Sequence, residues 1–181
     1  MDTYLTRLAS AEPVPGGGSA AMIVAATGCA LVGMVARICD APRLADRADE
    51  LQASALAQSA RDEDAFKVVM QSRGAERQAA LAEAAATPLE GMRIALDVMH
   101  LAAECLTLGN VNLVSDAGCA AEFGHAALLG CAYNVRINHL YLKDVQLVNE
   151  QRSQLENYER EATSLIASLR KAVNESLTRS A

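Results

Sequence analysis

The stretch PVPGGGSAAMIVAATGCALVGMVARICD, residues 13–40, decides the fold of this chain. Two prolines stiffen an extended approach, and three consecutive glycines then let another group come very close to the backbone. Ser19 follows at the position where a helix N-cap is expected. Because the next run, residues 20–36, is apolar and carries no charge, it predicts a central helix that is buried on all sides.

The junction at residues 13–19 has two interpretations. The amino terminus of a helix offers free N–H groups and a partial positive charge, which favour an oxygen-rich or anionic group. The alternative is a tight loop that only starts a buried helix, because a glycine-rich loop by itself says little about a ligand. The chain shows neither a P-loop lysine nor a βαβ pattern, so phosphate is the weaker choice of anion.

The same apolar run is long enough to raise the question of a membrane span. It lies near the lower limit of about 17 residues for such a helix, is rich in alanine and glycine, and ends at Arg37. No basic segment precedes it, as a signal peptide would require. We therefore expect a core helix and no membrane segment.

Composition extends the helical prediction to the whole chain. Hydrophobic residues make up 51% of the 181 residues, but aromatic residues only 3%, and tryptophan is absent. Alanine and leucine are strong helix formers, whereas the β-branched and aromatic residues typical of strands are scarce. We expect an all-α fold, a bundle of long helices that forms a single domain over residues 1–181.

Charge and cysteine usage narrow the range of partners. The net charge of −6 argues against nucleic-acid binding, which needs a basic surface. The five cysteines form no CxxC pair, and the three histidines show no ligand-like spacing with them. We therefore expect small buried thiols in a cytoplasmic protein, and no metal site.

Proline, glycine and apolar spacing predict the helix boundaries. We expect helices over about 2–11, 19–39, 43–72, 75–86, 87–108 and 115–137, followed by a polar helix after residue 144. Gly74 and Gly109 indicate helix ends, and Thr87-Pro88 indicates the cap and first turn of a new helix. An apolar stripe with spacings of three and four over residues 155–169 suits packing on this bundle or on a partner chain.

Three polar stretches do not fit a plain bundle core, where each polar group costs free energy unless it is paired. They are residues 61–66, 109–116 and 134–138. Asp64 lies near the edge of the buried stripe of its helix. Asn134 and Asn138 share one helix face because they are four residues apart, either as a paired helix end or as a patch facing a ligand. Turn and cap preferences account poorly for Asn112 together with Asp116.

Six stretches, PVPGGGSAA, MVAR, DEDAF, TPLE, GNVNLVSDAG and NVRINHLYLKD, resemble in order and spacing those of the cyclodeaminase/cyclohydrolase family. The resemblance covers residues 5–144, and the six motifs in order are more specific than any one of them. The family includes the C-terminal domain of formiminotransferase-cyclodeaminase and stand-alone bacterial methenyltetrahydrofolate cyclohydrolases. The resemblance implies an all-α fold, a tightly associated homodimer, and a folate site near the glycine-rich loop, at or close to the subunit interface.

The resemblance also implies the site residues. The substrate-binding set is Gly16, Gly17, Gly18, Ser19, Arg37, Asn112, Ser115, Asn134 and Asn138. Asp64 and Asp116 are the carboxylates on matched motifs, and we expect one or the other to move protons, with the acid and the base not assigned. A tetrahydrofolate derivative is the expected substrate, and no permanently bound cofactor is expected.

Two reactions are implied. A cyclohydrolase adds water to the cationic carbon of 5,10-methenyltetrahydrofolate and gives 10-formyltetrahydrofolate. A cyclodeaminase closes the ring of 5-formiminotetrahydrofolate and releases ammonia. Because no transferase domain precedes this chain, we favour the cyclohydrolase and keep the cyclodeaminase as the alternative. A non-catalytic helical scaffold is the alternative from another class, and the polar residues within apolar helices argue against it.

Overall fold

The computed structural model describes residues 2–178, apart from the side chain of Asp2. Its helices are α1 (Asp2–Leu8), α2 (Gly17–Ile38), α3 (Pro42–Gln71), α4 (Gly74–Thr107), α5 (Val114–His139) and α6 (Val145–Thr178), with a 3-10 turn at Val111–Leu113 before α5. This part of the chain contains no strand, so the prediction of an all-α bundle of long helices is confirmed.

Helix α2 is the main core helix of the bundle, but Thr27, Ala30, Met34 and Ile38 are exposed, so the prediction of a helix buried on all sides is wrong. Helices α3, α4 and α5 pack against it, and its buried residues belong to a core cluster that these helices share. Among the described helices, it alone has the length and hydropathy of a membrane span. Inside the bundle, 61% of its apolar 18-residue stretch is buried. Most of its apolar surface is therefore used as core.

Helices α2 and α5 run antiparallel and in close contact. A Cβ on Gly17 would lie 3.4 Å from Nδ2 of Asn134, and a Cβ on Gly28 would lie 3.2 Å from the carbonyl oxygen of Ala120. Moving forward along α2 therefore means moving backward along α5. The amino end of α2 meets the carboxyl end of α5, and the carboxyl end of α2 meets the start of α5.

Small residues set the spacing between α4 and α5. A Cβ on Gly124 would lie 2.9 Å from the carbonyl oxygen of Ala95 and 2.8 Å from Cγ of Met99, so the two backbones approach closely there. Alanines from α2, α4 and α5 fill much of the remaining core. Close helix packing is how a chain with few aromatic residues reaches a dense interior.

Helix α4 is one continuous helix through Pro88, so the predicted break at Thr87-Pro88 is wrong. Proline has no N–H for the carbonyl oxygen four residues earlier, which is that of Ala84. Nδ2 of Asn138 donates to this oxygen over 2.8 Å. The side chain of Gln58 donates to the carbonyl oxygen of Thr87. Side chains from α5 and α3 thus support the backbone around the proline.

The helix ends predicted at Gly74 and Gly109 are confirmed, whereas the N-cap predicted at Ser19 is wrong. Gly74 is the first residue of α4, just after the end of α3, and has φ +56°. Gly109 follows α4 with φ +74°, and both have the left-handed conformation that favours glycine. Helix α2 begins at Gly17 with Gly16 as its N-cap, which places Ser19 inside the first turn. The side chain of Ser19 is fully buried there and bonds to other helices.

The apolar stripe of α6 packs on its own bundle. Of the two predicted alternatives, this bundle or a partner chain, the structure shows the first. Leu155, Ala162 and Leu169 are buried in the core cluster that also contains α2. Tyr158 and Leu165 are partly buried against the same cluster. Helix α6 therefore closes the bundle over α4 and α5.

The cysteines follow the prediction in part. Cys29, Cys105 and Cys131 are buried, and burial raises the pKa of each thiol to about 12. These thiols stay protonated at neutral pH and act as small apolar side chains. Cys39 is half-buried and Cys119 is exposed, so the prediction of buried thiols does not hold for Cys119.

Candidate functional site

A cavity of about 420 Å³ lies beside the glycine-rich junction, and we call it the loop cavity. Its walls come from the junction, α3, the first turns of α4 and the carboxyl end of α5. The lining residues are Pro13, Val14, Gly16, Gly17, Asp62, Ala65, Phe66, Val69, Met70, Arg77, Leu81, Ala84, Asn134, Ile137, Asn138 and Tyr141. Four of the residues predicted from the sequence, Gly16, Gly17, Asn134 and Asn138, therefore line one cavity.

The carboxylate of Asp62 lies against the first turn of α2. The backbone N–H of Ser19 stabilises the charged form of this carboxylate, which is the effect expected for an anion at the amino end of a helix. A Cβ on Gly18 would lie 2.7 Å from Cγ of Asp62, so the approach requires glycine. The anion that the junction accepts is therefore a side chain of the protein itself.

Asp62 holds its proton more tightly than an ordinary aspartate. Burial raises the pKa of its carboxyl group, the N–H of Ser19 opposes this rise, and the negative charge of Glu63 adds to it. A carboxyl group with a raised pKa beside a cavity is typical of sites that transfer protons. Sequence reasoning missed Asp62 because it assigned this residue to a solvated charge run.

Asn134 and Asn138 present amide groups to the loop cavity from one face of α5, as their spacing predicts. Nδ2 of Asn134 donates to the carbonyl oxygen of Gly130 over 2.9 Å. Nδ2 of Asn138 donates to the carbonyl oxygens of Ala84 and Asn134 over 2.8 and 2.9 Å. No described residue donates a hydrogen bond to either Oδ1. Each amide thus keeps an acceptor for water or for a ligand.

Two charged side chains, Asp62 and Arg77, line the loop cavity. Nη1 of Arg77 donates to the carbonyl oxygen of Val69 over 3.0 Å, and within residues 2–178 no carboxylate forms an ion pair with this guanidinium. Phe66 and Ile137 belong to the apolar walls. No group of three His, Cys, Asp or Glu in the same range is arranged to hold a metal ion. The cavity suits a flat ring compound that carries an anionic group.

Gly18 and Ser19 support the loop cavity from behind and do not line it. Gly18 packs on Asp62, and Ser19 is fully buried. Oγ of Ser19 lies 2.8 Å from Oγ of Ser59 on α3 and 2.9 Å from Oη of Tyr4 on α1. These contacts hold the start of α2 in place against two other helices.

Asp64 lies outside the loop cavity. Its side chain is 73% exposed, and its Oδ1 accepts a hydrogen bond from Nζ of Lys67 over 2.8 Å. Asp62 and Asp64 are two residues apart on α3, which turns them about 200° from each other around the helix axis. Within the protomer, Asp62 therefore takes the position that the sequence analysis gave to Asp64.

Four predicted residues lie at the other end of α2 and α5, in a group that we call the far pole: Arg37, Asn112, Ser115 and Asp116. At 1.5 Å per residue, Asp116 lies about 27 Å from Asn134 along α5. Arg37 forms an ion pair with Asp49, and Ser115 lines a separate groove between α5 and α6. The far pole and the loop cavity do not meet within one protomer, and the roles predicted for the far pole stay predictions.

Comparisons with known proteins agree with this fold. The sequence model of a family described as formiminotransferase-cyclodeaminase matches residues 1–157. A methenyltetrahydrofolate cyclohydrolase of Methylorubrum extorquens is 33% identical over 189 aligned positions, which cover 91% of each chain. The crystal structure of formiminotetrahydrofolate cyclodeaminase from Thermotoga maritima superposes with a TM-score of 0.92 at 28% identity, covering 97% of this chain and 96% of that one.

The raised pKa of Asp62 predicts how its replacement changes stability with pH. A carboxyl group with a raised folded-state pKa contributes stability below its ordinary value of 3.8, and this contribution is lost as the pH rises through the folded-state value. We therefore expect Asp62→Asn to gain stability relative to the parent protein from about pH 4 to about pH 8, measured by urea unfolding. Asp64→Asn is the matched control, and a difference that does not grow with pH contradicts the assignment.

Proposed function

Since the chain belongs to the formiminotransferase-cyclodeaminase family, we propose that its loop cavity hydrolyses 5,10-methenyltetrahydrofolate to 10-formyltetrahydrofolate. As a member of this family, the protein is an enzyme of folate cyclohydrolase or cyclodeaminase chemistry. The observation that carries the proposal is the carboxyl group of Asp62, whose pKa is raised at the wall of a cavity. The Methylorubrum relative, which is named for this reaction and aligns over 91% of both chains, supports the choice of the hydrolysis.

Asp62 acts first as a base in this proposal. It accepts a proton from water while the water oxygen forms a bond to the cationic methenyl carbon. The resulting tetrahedral carbon is bonded to one oxygen and two nitrogens. Asp62 then returns the proton to N5, the bond between this carbon and N5 breaks, and the hydroxyl proton leaves to solvent. One water is consumed and one proton is released, so atoms and charge balance.

The environment of Asp62 suits both of these steps. Its raised pKa brings proton uptake and release closer to neutral pH than an ordinary aspartate allows. In its ionised form it also places negative charge beside a cationic substrate. The free acceptors of Asn134 and Asn138 can orient the attacking water or the N–H groups of the pterin, while Phe66 and Ile137 supply apolar walls for the ring.

The cyclodeaminase is the second candidate, because the Thermotoga structure with the same fold carries that name. Its reaction passes through a similar tetrahedral carbon, and a protonated Asp62 would donate to the departing ammonia. Ammonia release from 5-formiminotetrahydrofolate distinguishes it from hydrolysis of the methenyl compound. Activity towards neither substrate would favour a non-catalytic scaffold.

Replacement of Asp62 tests the proposed function directly. We expect Asp62→Asn to lower turnover of methenyltetrahydrofolate by about 10²- to 10⁴-fold, because the proton acceptor is lost. The loss of methenyltetrahydrofolate absorbance measures this rate against a buffer control. Asp64→Asn removes a neighbouring carboxylate that lies in solvent and should keep the parental rate. Parental turnover by Asp62→Asn would contradict the proposal.

Arg77 provides the positive charge for the glutamate tail of the folate in this proposal. We expect Arg77→Gln to raise KM by about 10- to 100-fold with kcat little changed, because a charge-assisted hydrogen bond to a carboxylate is lost. A pteridine substrate without the glutamate should show no such rise. Arg73→Gln is the control, since Arg73 is exposed and is not among the residues that line the cavity. An equal KM change for both substrates would exclude this role.

We also propose that two copies of the chain associate through the outer face of α2. Thr27, Ala30, Met34 and Ile38 lie exposed on this face at helical spacing, and none is charged. An uncharged stripe of this kind on a central helix is typical of a surface that a partner covers. A homodimer is also what the family resemblance implies.

Such a dimer would bring the far pole of one copy towards the loop cavity of the other. A two-fold axis at the middle of the outer face makes the two α2 helices antiparallel. The carboxyl end of the partner's α2, with the neighbouring start of its α5, then lies on the side of the loop cavity. The separation of the predicted site residues within one protomer supports this arrangement.

Mixing two inactive variants tests whether the far pole acts across the interface. We expect Asp62→Asn and Asp116→Asn each to be inactive alone. Because half of randomly mixed dimers carry one intact site, an equal mixture refolded together should regain about a quarter of the parental rate. Separately refolded variants, combined afterwards, are the control. Full activity of Asp116→Asn, or no recovery in the refolded mixture, would contradict the arrangement.

A further inference from the structure

A network of hydrogen-bonded side chains lies behind the glycine-rich junction, and Ser19 is at its centre. Oγ of Ser19 lies 2.9 Å from Oη of Tyr4 and 2.8 Å from Oγ of Ser59. Oγ of Ser59 also lies 3.1 Å from the carbonyl oxygen of Ser19. These bonds join α1, the first turn of α2 and the middle of α3 in one network.

Glu63 is held by this network from two sides. The hydroxyl of Ser19 donates to its Oε1 over 3.4 Å, and Nη2 of Arg7 donates to its Oε2 over 2.6 Å. The side chain of Glu63 is only 12% exposed, whereas that of Arg7 is 51% exposed. Helix α1 thus covers Glu63 and supplies the cation that neutralises it. Nothing in the function proposed above uses this ion pair.

Ser19 connects Glu63 to Asp62. The carboxylate of Asp62 lies against Gly18, and the backbone N–H of the next residue, Ser19, stabilises its charged form. The hydroxyl of Ser19 donates to the carboxylate of Glu63. The two carboxylates are neighbours on α3 and share one anchor on α2. A shift of either acidic side chain would therefore move the hydrogen-bond donor of the other.

We infer that Glu63 is a positioning residue for Asp62, and that α1 is the strap that holds it through Arg7 and Tyr4. This inference rests on the proposed function only in taking Asp62 as the group that exchanges protons. The arrangement gives α1 a specific task, since it binds the back of the junction and not the cavity. The charges of Glu63 and Arg7 then act in opposite directions on the proton of Asp62.

Other titratable groups face Asp62 from the helices packed around it. Arg77 from α4 and Tyr141 after α5 line the same cavity. Cys131 of α5 feels the charge of Asp62, but burial raises the pKa of this thiol to about 12, so it remains neutral near pH 7. None of these three groups bonds to the network of Ser19. Changes at Arg7 and Glu63 therefore leave them in place.

The proposal predicts shifts of opposite sign for two substitutions. Glu63→Gln removes a negative charge beside Asp62 and should lower the pH at which Asp62 titrates. Arg7→Gln leaves the charge of Glu63 unneutralised and should raise that pH. The double variant should resemble Glu63→Gln, since Arg7 acts mainly through Glu63. The measurement is a carboxyl ¹³C NMR titration of the full chain, with the Asp62 signal assigned by its absence in Asp62→Asn.

Matched variants separate this effect from a general loss of charge or of folding. Glu83→Gln breaks the exposed ion pair between Arg61 of α3 and Glu83 of α4 and should leave the titration of Asp62 unchanged. Arg7→Lys keeps the cation and should restore most of the parental titration. Arg7 lies at the surface, so Arg7→Gln decides the question even where Glu63→Gln does not fold.

The outcomes distinguish this proposal from the function. An unchanged Asp62 titration in Arg7→Gln, or shifts of the same sign in both single variants, would overturn the positioning role. Opposite shifts support it whether or not the parent protein turns over folate, because the titration needs no substrate. With an active parent, the pH–rate profile should move in the same direction as the NMR titration in each variant.

Discussion

The close contact between the carboxylate of Asp62 and the first turn of α2 is the interaction on which the site depends. It joins the start of the central helix to α3, and it requires glycine at position 18 because a side chain there would collide with the carboxylate. Burial raises the pKa of Asp62, whereas the amino end of α2 stabilises the charged form. These two effects act in opposite directions on the pKa of Asp62, and burial is the larger of them.

Asn138 links this site to the packing of the core. Its Nδ2 donates to the carbonyl oxygen of Ala84, which lacks an ordinary backbone partner because Pro88 has no N–H. A carbonyl oxygen left without a donor in this setting costs about 1–3 kcal/mol. The same residue lines the loop cavity. A change at Asn138 therefore affects both the helix around Pro88 and the cavity, whereas a change at Asp62 affects mainly the site.

Much of the fold could be predicted from sequence, whereas the site could be predicted only in part. Alanine-rich runs and the glycines at 74 and 109 predicted the helices and their ends. The spacing of Asn134 and Asn138 placed both on one face. Pro88 led to a wrongly predicted helix break, because the side chains that bond the backbone around it are distant in sequence. Asp62 was missed because three acidic residues stand in a row, and local sequence does not determine which of them turns inward. Arg77 carried no motif that would single it out.

The antiparallel packing of α2 and α5 explains why the predicted residues fall into two groups. Along α2, each turn after Gly17 lies farther from the loop cavity. Along α5, each turn before Asn134 also lies farther from it, on the same side. No local rearrangement of the bundle can join ends that lie about 27 Å apart on straight helices. In the proposed dimer, a two-fold axis across the outer face of α2 would reverse the direction of the partner, so opposite ends would come together without a change of fold. The proposed dimer thus gives the uncharged outer face and the separation of the two groups one common physical explanation.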